Sequence, residues 1–305
     1  MIKKTICFSN RASLSCRLDQ LKIKVFDPLS GVEQEFSRPI EDIGVIIVES
    51  EQVSLTSALI TRLMDNNVAL IFCDKKHMPS GMLLPLEGNT LQSERFSFQI
   101  NASQPLKKQL WQQTVIAKIR NQAAVLKNTI GCEVGNMMAW ANNVKSGDSE
   151  NLEGRGAAYY WKNIFPEYPD FRRDPGEEGL NALLNYGYAI LRAIVARSLV
   201  GSGLLPTLGI HHCNRYNAYC LADDIMEPYR PYVDMMVIDI MRNRKLPLEI
   251  NGETKRQLLT LPTMDVKMQK VRRPLLVAAS MTTASLAKCY LGEIRKLSYP
   301  EIDVR

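Results

Sequence analysis

The sequence predicts an α+β protein of two domains, a small β-rich N-terminal domain over residues 1–95 and an all-α C-terminal catalytic domain over residues 96–305. Three observations lead to this. Up to about residue 95 the apolar residues come in short runs rich in Ile, Val, Phe and Thr, which suit a pleated, half-buried surface. From about Gln104 the apolar spacing becomes helical. A chain of 305 residues with 46% hydrophobic composition can also bury two cores.

In chain order, strands are expected at 5–9, 13–18, 21–26, 34–37 and 45–48, separated by turn residues such as Asp27-Pro28 and Ser30-Gly31. Residues 55–65 (LTSALITRLMD) form one amphipathic helix. It leads into an apolar strand at 68–73 that closes a small β-α-β unit. His77 follows in a polar loop and reads as a surface residue. The Pro/Gly-rich stretch 79–88 reads as a loop feeding the linker. A long amphipathic helix is expected over 107–129, with Leu110, Trp111, Val115, Ile119 and Leu126 on its apolar side, and another over 133–145. Residues 165–179 (FPEYPDFRRDPGEEG) contain three prolines and two glycines and must be a loop. A loop that long inside a compact domain is either mobile or functional. Residues 179–199 form an apolar core helix, and 271–297 close the bundle. No internal repeat or low-complexity run is evident.

Function is concentrated in GIHHCNRYNAYCLADDIMEPYRPYVD (209–234). Two of the three histidines of the chain, His211 and His212, are adjacent there, and Asp224 and Glu227 follow 12 and 15 residues after His212. LADDIMEPYRP reads as a short helix ending near Glu227 or Pro228. Asp224 and Glu227 (i, i+3) or Asp223 and Glu227 (i, i+4) then share one face. Carboxylates with one imidazole suit Mg²⁺ or Mn²⁺, the nitrogen favouring Mn²⁺. The plainer alternative is a surface helix whose acids pair with Arg230 while His212 caps or packs. Glu153 stands alone at the start of an aromatic helix. Gly154 and Gly156 beside it permit close approach of a backbone or ligand. A carboxylate there also suits the helix dipole without any catalytic role.

Taken together, EGRGAAYYW (153–161), NALLNYGY (181–188), GIHH (209–212) and LADDIMEPYRP (221–231) with Asp234 occur in an order that resembles one family. It is the CRISPR-associated integrase and endonuclease of spacer acquisition, the first-numbered Cas protein, in the form found in type II systems. The resemblance implies a β-rich N-terminal domain that dimerises and docks partners, and a helical domain carrying a metal-dependent strand-transfer site. By matched position, Glu153, His212 and Glu227 are the implied catalytic metal ligands, for Mg²⁺ or Mn²⁺. His211 falls at a normally apolar place. Asp224 matches a further acidic position that binds metal through water or orients a ligand. Implied partners are double-stranded DNA (protospacer and CRISPR repeat), a second copy in a homodimer, a small second Cas adaptation subunit, and the type II effector nuclease. Two rival readings stay open, a non-catalytic nucleic-acid scaffold and a metal-dependent nuclease of another DNA-processing pathway.

Charge is compatible with these readings but less specific. The chain has 38 Lys+Arg against 32 Asp+Glu, a net charge of +6, a mild basic bias that suits nucleic acid. Basic residues cluster at Lys107, Lys108, Lys118, Arg120 and Lys127, at Arg172 and Arg173, at Arg242, Arg244 and Lys245, and at Lys267, Lys270, Arg272 and Arg273. Each is a candidate phosphate contact or a solvated face. The seven cysteines are odd in number and lack a CxxC pair, so free thiols in a reducing cytoplasm are expected. No signal-peptide core or run of 18 apolar residues is found, and no membrane span is expected.

Overall fold

The computed structural model describes residues 3–26, 33–75, 78–174, 176, 178–243 and 248–303. The turn residues Asp27-Pro28 and Ser30-Gly31, His77, Arg244 and Lys245 lie outside them. The chain forms two compact units, Met1–Gly88 and Asn89–Arg305.

The first unit holds two four-stranded sheets. One has the order β1 (Lys4–Phe8), β5 (Ile43–Val48), β7 (Ala69–Cys73), β8 (Pro79–Leu83). β1, β5 and β7 are parallel and β8 is antiparallel to β7. All six residues of β5 (IGVIIV) are buried, as expected of a strand covered on both faces. The other sheet has the order β4 (Glu33–Pro39), β3 (Gln20–Phe26), β2 (Ala12–Arg17), β6 (Val53–Leu55). Helix α1 (Ser57–Asp65) is capped by Thr56, whose hydroxyl accepts the Leu59 N–H at 3.3 Å. Leu59 and Leu63 of α1 join Leu14, Ile23, Ile46 and Leu70 in one core. Strands β6 and β8 were not expected. The first has three residues, and the second begins on Pro79 and contains Gly81, both poor strand formers in isolation.

The second unit is helical: α2 (Gln92–Ile100), α3 (Gln104–Val125), α4 (Gly135–Asn143), α5 (Leu152–Asn163), α6 (Leu180–Gly201), α7 (Cys220–Met226), α8 (Arg230–Arg242), α9 (Gly252–Leu258) and α10 (Leu275–Tyr290). It begins at Asn89 because α2 is tied to it. Asn89 donates to the Gly201 carbonyl at 3.0 Å, Arg95 to the Ser202 carbonyl at 2.7 Å and Gln99 to the Leu205 carbonyl at 3.0 Å. Helix α6 is long and apolar enough to cross a membrane by length and composition, yet 83% of its apolar window is buried. It packs on α8 so closely that a Cβ at Gly187 would lie 2.4 Å from Val233 Cγ1.

Two findings concern loops. The described residues of the expected loop 165–179 are irregular and anchored. Asn181 donates to the Arg172 carbonyl at 2.8 Å and accepts Arg173 Nη1 at 2.9 Å and the Asp174 N–H at 3.1 Å. Arg173 is thus turned onto Asn181 and the Tyr188 ring, 5.2 Å from its centroid, instead of out toward a phosphate. The expected helix over 271–297 is shorter, because Asp265–Met268 (β9) and Val271–Pro274 (β10) make an antiparallel hairpin ahead of α10. The basic cluster therefore sits on a two-stranded arm added to an otherwise helical unit. Its turn residues Gln269 and Lys270 both have positive φ, 50° and 73°, without the Gly or Asn that usually marks such a turn.

Candidate metal-dependent active site

Three helices meet at the site. Glu153 lies in the first turn of α5. Asn151 caps that turn by accepting the Gly154 N–H at 3.2 Å, and both Asp148 oxygens accept backbone N–H groups, of Leu152 and Glu153, at 2.9 Å. Asp148 lies in a 3₁₀ turn, Ser146–Asp148, just ahead of α5, and was not anticipated. Gly156 takes the close approach expected of it, but from a neighbouring helix: a Cβ there would lie 3.2 Å from Ile119 Cγ1 of α3.

Glu227 opens a 3₁₀ turn, Glu227–Tyr229, between α7 and α8. Buried Asn121 of α3 donates to the Pro228 carbonyl at 2.8 Å and to the Pro300 carbonyl at 3.0 Å, and its own oxygen accepts the Ile302 N–H at 3.0 Å. Arg230 Nε donates to Glu227 Oε1 at 2.9 Å, the pairing of the plainer alternative. Burial disfavours the Glu227 anion, but Arg230 and Lys118 outweigh it and pull this carboxyl down to about 2.

His212 is held by Asp224, which is fully buried. One Asp224 oxygen accepts the Ile210 N–H at 2.7 Å and the His211 N–H at 3.0 Å; the other meets His212 Nδ1 at 2.5 Å and accepts the His212 N–H at 3.3 Å. A carboxylate acceptor keeps the proton on Nδ1 and leaves the other ring nitrogen as the electron-pair donor. The same hydrogen bond raises the His212 pKa above its ordinary 6.5, against burial. Gly209 is required here, since a Cβ would stand 2.3 Å from the His212 carbonyl oxygen and 2.8 Å from Asp224 Oδ2. His211 turns away and stacks on Trp111, with centroids 4.1 Å apart and planes 1° apart. Asp223 pairs with Arg192 at 2.7 Å.

The structure brings Glu153 and Glu227 together on one cation, the ammonium of Lys118. Lys118 is bonded to Glu153 Oε1 and lies 2.5 Å from Glu227 Oε2. It is only 7% exposed, so it is not the DNA contact that its place in a basic helix suggested. Burial disfavours its charge, but Glu227 and Glu153 hold its pKa above the ordinary value. Among the described residues, no three His, Cys, Asp or Glu side chains come together as a metal-binding group. His212 acts on Glu227 electrostatically without sharing its cation. The donors nonetheless suit a hard divalent ion. Two carboxylates converge, one imidazole nitrogen is free, and Glu227 Oε2 is buried with no donor in hydrogen-bonding orientation.

Behind the site, Tyr160 and Tyr188 donate to the two oxygens of buried Asp234, at 2.8 and 2.5 Å. Arg230 lies 4.7 Å over the Tyr188 ring. Burial pushes the Asp234 carboxyl from its ordinary 3.8 up to about 6, against the pull of both hydroxyls. A raised carboxyl favours the folded state while protonated. That stability is full below about pH 4 and is lost as pH rises through about 6, a change of roughly 3 kcal/mol. Urea titrations from pH 4 to 7 are expected to show this loss in the wild type and not in Asp234→Asn. Parallel profiles would contradict it.

Residues 6–260 match the family model described as CRISPR associated protein Cas1. The chain is 34% identical to the CRISPR-associated endonuclease Cas1 of Neisseria meningitidis serogroup C (strain 8013), over 99% of this chain and 97% of that one. Among solved structures, a casposase bound to integration product superposes with a TM-score of 0.80 at 23% identity, covering 99% of this chain and 95% of that one. A Cas6-RT-Cas1–Cas2 complex superposes with a TM-score of 0.76 at 18% identity, over 100% of this chain and 36% of that one. The chain belongs to the CRISPR-associated Cas1 family.

Proposed function

We propose that this protein is the DNA integrase and endonuclease of CRISPR spacer acquisition, and that its phosphodiester chemistry takes place at Glu153, His212 and Glu227. The observation that carries the site assignment is the convergence of Glu153 and Glu227 on Lys118, with His212, held at Nδ1 by Asp224, near enough to act on Glu227 electrostatically. Those three side chains would hold one Mg²⁺ or Mn²⁺, which, when bound, polarises the scissile phosphate. The protein's own contribution is positional. Arg230 keeps Glu227 ionised in a buried place, Asp148 and Asn151 fix the turn that carries Glu153, and Asp224 sets the tautomer of His212. A DNA 3′-hydroxyl attacks in integration and water in hydrolysis, and neither needs a covalent enzyme intermediate. His212 must be neutral to ligate. Because Asp224 raises its pKa, activity is lost as pH falls through a value above 6.5.

The proposed partners are protospacer and repeat DNA, a second copy of the chain, a small Cas2-type subunit and the type II effector nuclease. Support comes from the structural neighbours, which include a casposase bound to integration product and a Cas6-RT-Cas1–Cas2 complex. The proposed place of action is the cytoplasm, a setting that suits seven cysteines kept as thiols. The deciding assay combines labelled protospacer duplex, supercoiled repeat-bearing plasmid and Mn²⁺, with and without the small subunit. Label joined to the plasmid at repeat borders is expected. Binding without joining would favour the scaffold reading, and cleavage without joining would favour a nuclease of another pathway.

The hairpin supplies a backbone contact. Lys267 is paired with Asp303, whereas Val271, Arg272 and Arg273 are exposed. Arg272→Gln with Arg273→Gln is expected to weaken duplex binding and flatten log K against log salt by up to about two units, at ~0.9 per lost phosphate contact. Titrations at several salt concentrations test this, and an unchanged slope would place the pair on a solvated face.

A further inference from the structure

We infer that Lys118 is a resident counter-cation of the active site, holding Glu153 and Glu227 together in the absence of a metal ion and leaving its place when one binds. The inference rests on the reading of those two carboxylates as metal ligands and goes beyond it.

Two carboxylates brought together in a buried place repel each other unless a cation lies between them. Lys118 supplies that cation from α3. Its ammonium is bonded to Glu153 and is 2.5 Å from Glu227 Oε2, in a site where the lysine is 7% exposed. Arg230 occupies the other Glu227 oxygen, so Oε2 is the one left for an ion, and the ammonium stands against it. A divalent ion reaching Glu153 and Glu227 together must take the same space. The compact ammonium on a flexible four-carbon stem can withdraw, which the planar, hydrogen-bonded guanidinium of Arg230 does less readily. Arg230 is therefore the permanent partner of Glu227 and Lys118 the exchangeable one.

The test is Mn²⁺ binding to the full-length protein, measured by electron paramagnetic resonance, for wild type, Lys118→Met and Lys118→Arg. Removing a competing unit charge at contact distance is expected to tighten Mn²⁺ binding about tenfold or more in Lys118→Met. The Arg variant, which keeps the charge, should show no such gain. Without metal, Lys118→Met should melt lower than wild type, and Mn²⁺ should raise its melting temperature by more than it raises that of wild type. Equal or weaker Mn²⁺ binding by Lys118→Met would overturn the inference. A second measurement needs no substitution. In wild type, acetylation of Lys118 by an amine-reactive reagent, read by peptide mass spectrometry, should rise when Mn²⁺ is added. Unchanged protection at saturating Mn²⁺ would also overturn it. Failure of the underlying site assignment looks different, because wild type would then bind no Mn²⁺ that Glu227→Gln abolishes.

Discussion

Glu153→Gln and Glu227→Gln are each expected to abolish strand transfer and cleavage, a loss beyond the roughly 10- to 100-fold typical of changes one shell further from a metal. The amide keeps the shape of the side chain but removes the charge on which a divalent ion depends. Duplex affinity should hardly change, since binding energy comes from Lys and Arg on phosphates. The Ala variants are less clean. Truncating Glu227 leaves buried Lys118 and half-buried Arg230 without their shared partner, at a cost of about 3–5 kcal/mol. Integration assays in Mn²⁺, with binding isotherms alongside, separate the effects. Near wild-type joining by either Gln variant would refute the site assignment.

Asp224→Ala is expected to be the most damaging change to the histidine loop. It removes the acceptor for the backbone N–H groups of Ile210, His211 and His212 and for the ring of His212. Each buried donor left without a partner costs about 1–3 kcal/mol, reduced here because His211 and His212 are exposed. A loss of roughly 2–4 kcal/mol in urea unfolding is therefore expected, together with loss of activity. Asp224→Asn separates the two roles. Its carbonyl can still accept backbone N–H groups, but the charge that raises the His212 pKa is gone. Residual activity should then extend to lower pH than in wild type. If Asp224→Ala unfolds like wild type, the loop is held by other contacts.

The chemistry of the site was more legible in the sequence than its geometry. Adjacent histidines, a solitary Glu before a Gly-rich helix start and an acidic helix are conspicuous, because each residue type is costly or unusual where it stands. The fold class was legible too, as short runs rich in Ile, Val, Phe and Thr give way to helical spacing near Gln104. Lys118 could not be placed, since spacing shows which residues share a helix but not that two acids from distant segments converge on one of them. The second job of Asp224, closing three backbone N–H groups, depends on a loop path that Gly209 permits and that no periodicity records. The β9–β10 hairpin went unread because Gln269-Lys270 carries no turn signal, and β6 because three residues carry too little pattern.

Asn121 makes residues remote in sequence answer to one another. One side chain on α3 holds the carbonyl just after Glu227 and, with its remaining donor and acceptor, a carbonyl and an N–H of the segment 300–302. An insertion or deletion near residue 300 is thereby registered at the active-site turn. In engineering terms, the C-terminal segment belongs to the catalytic part, and grafting this site onto another helical scaffold would require carrying that segment along.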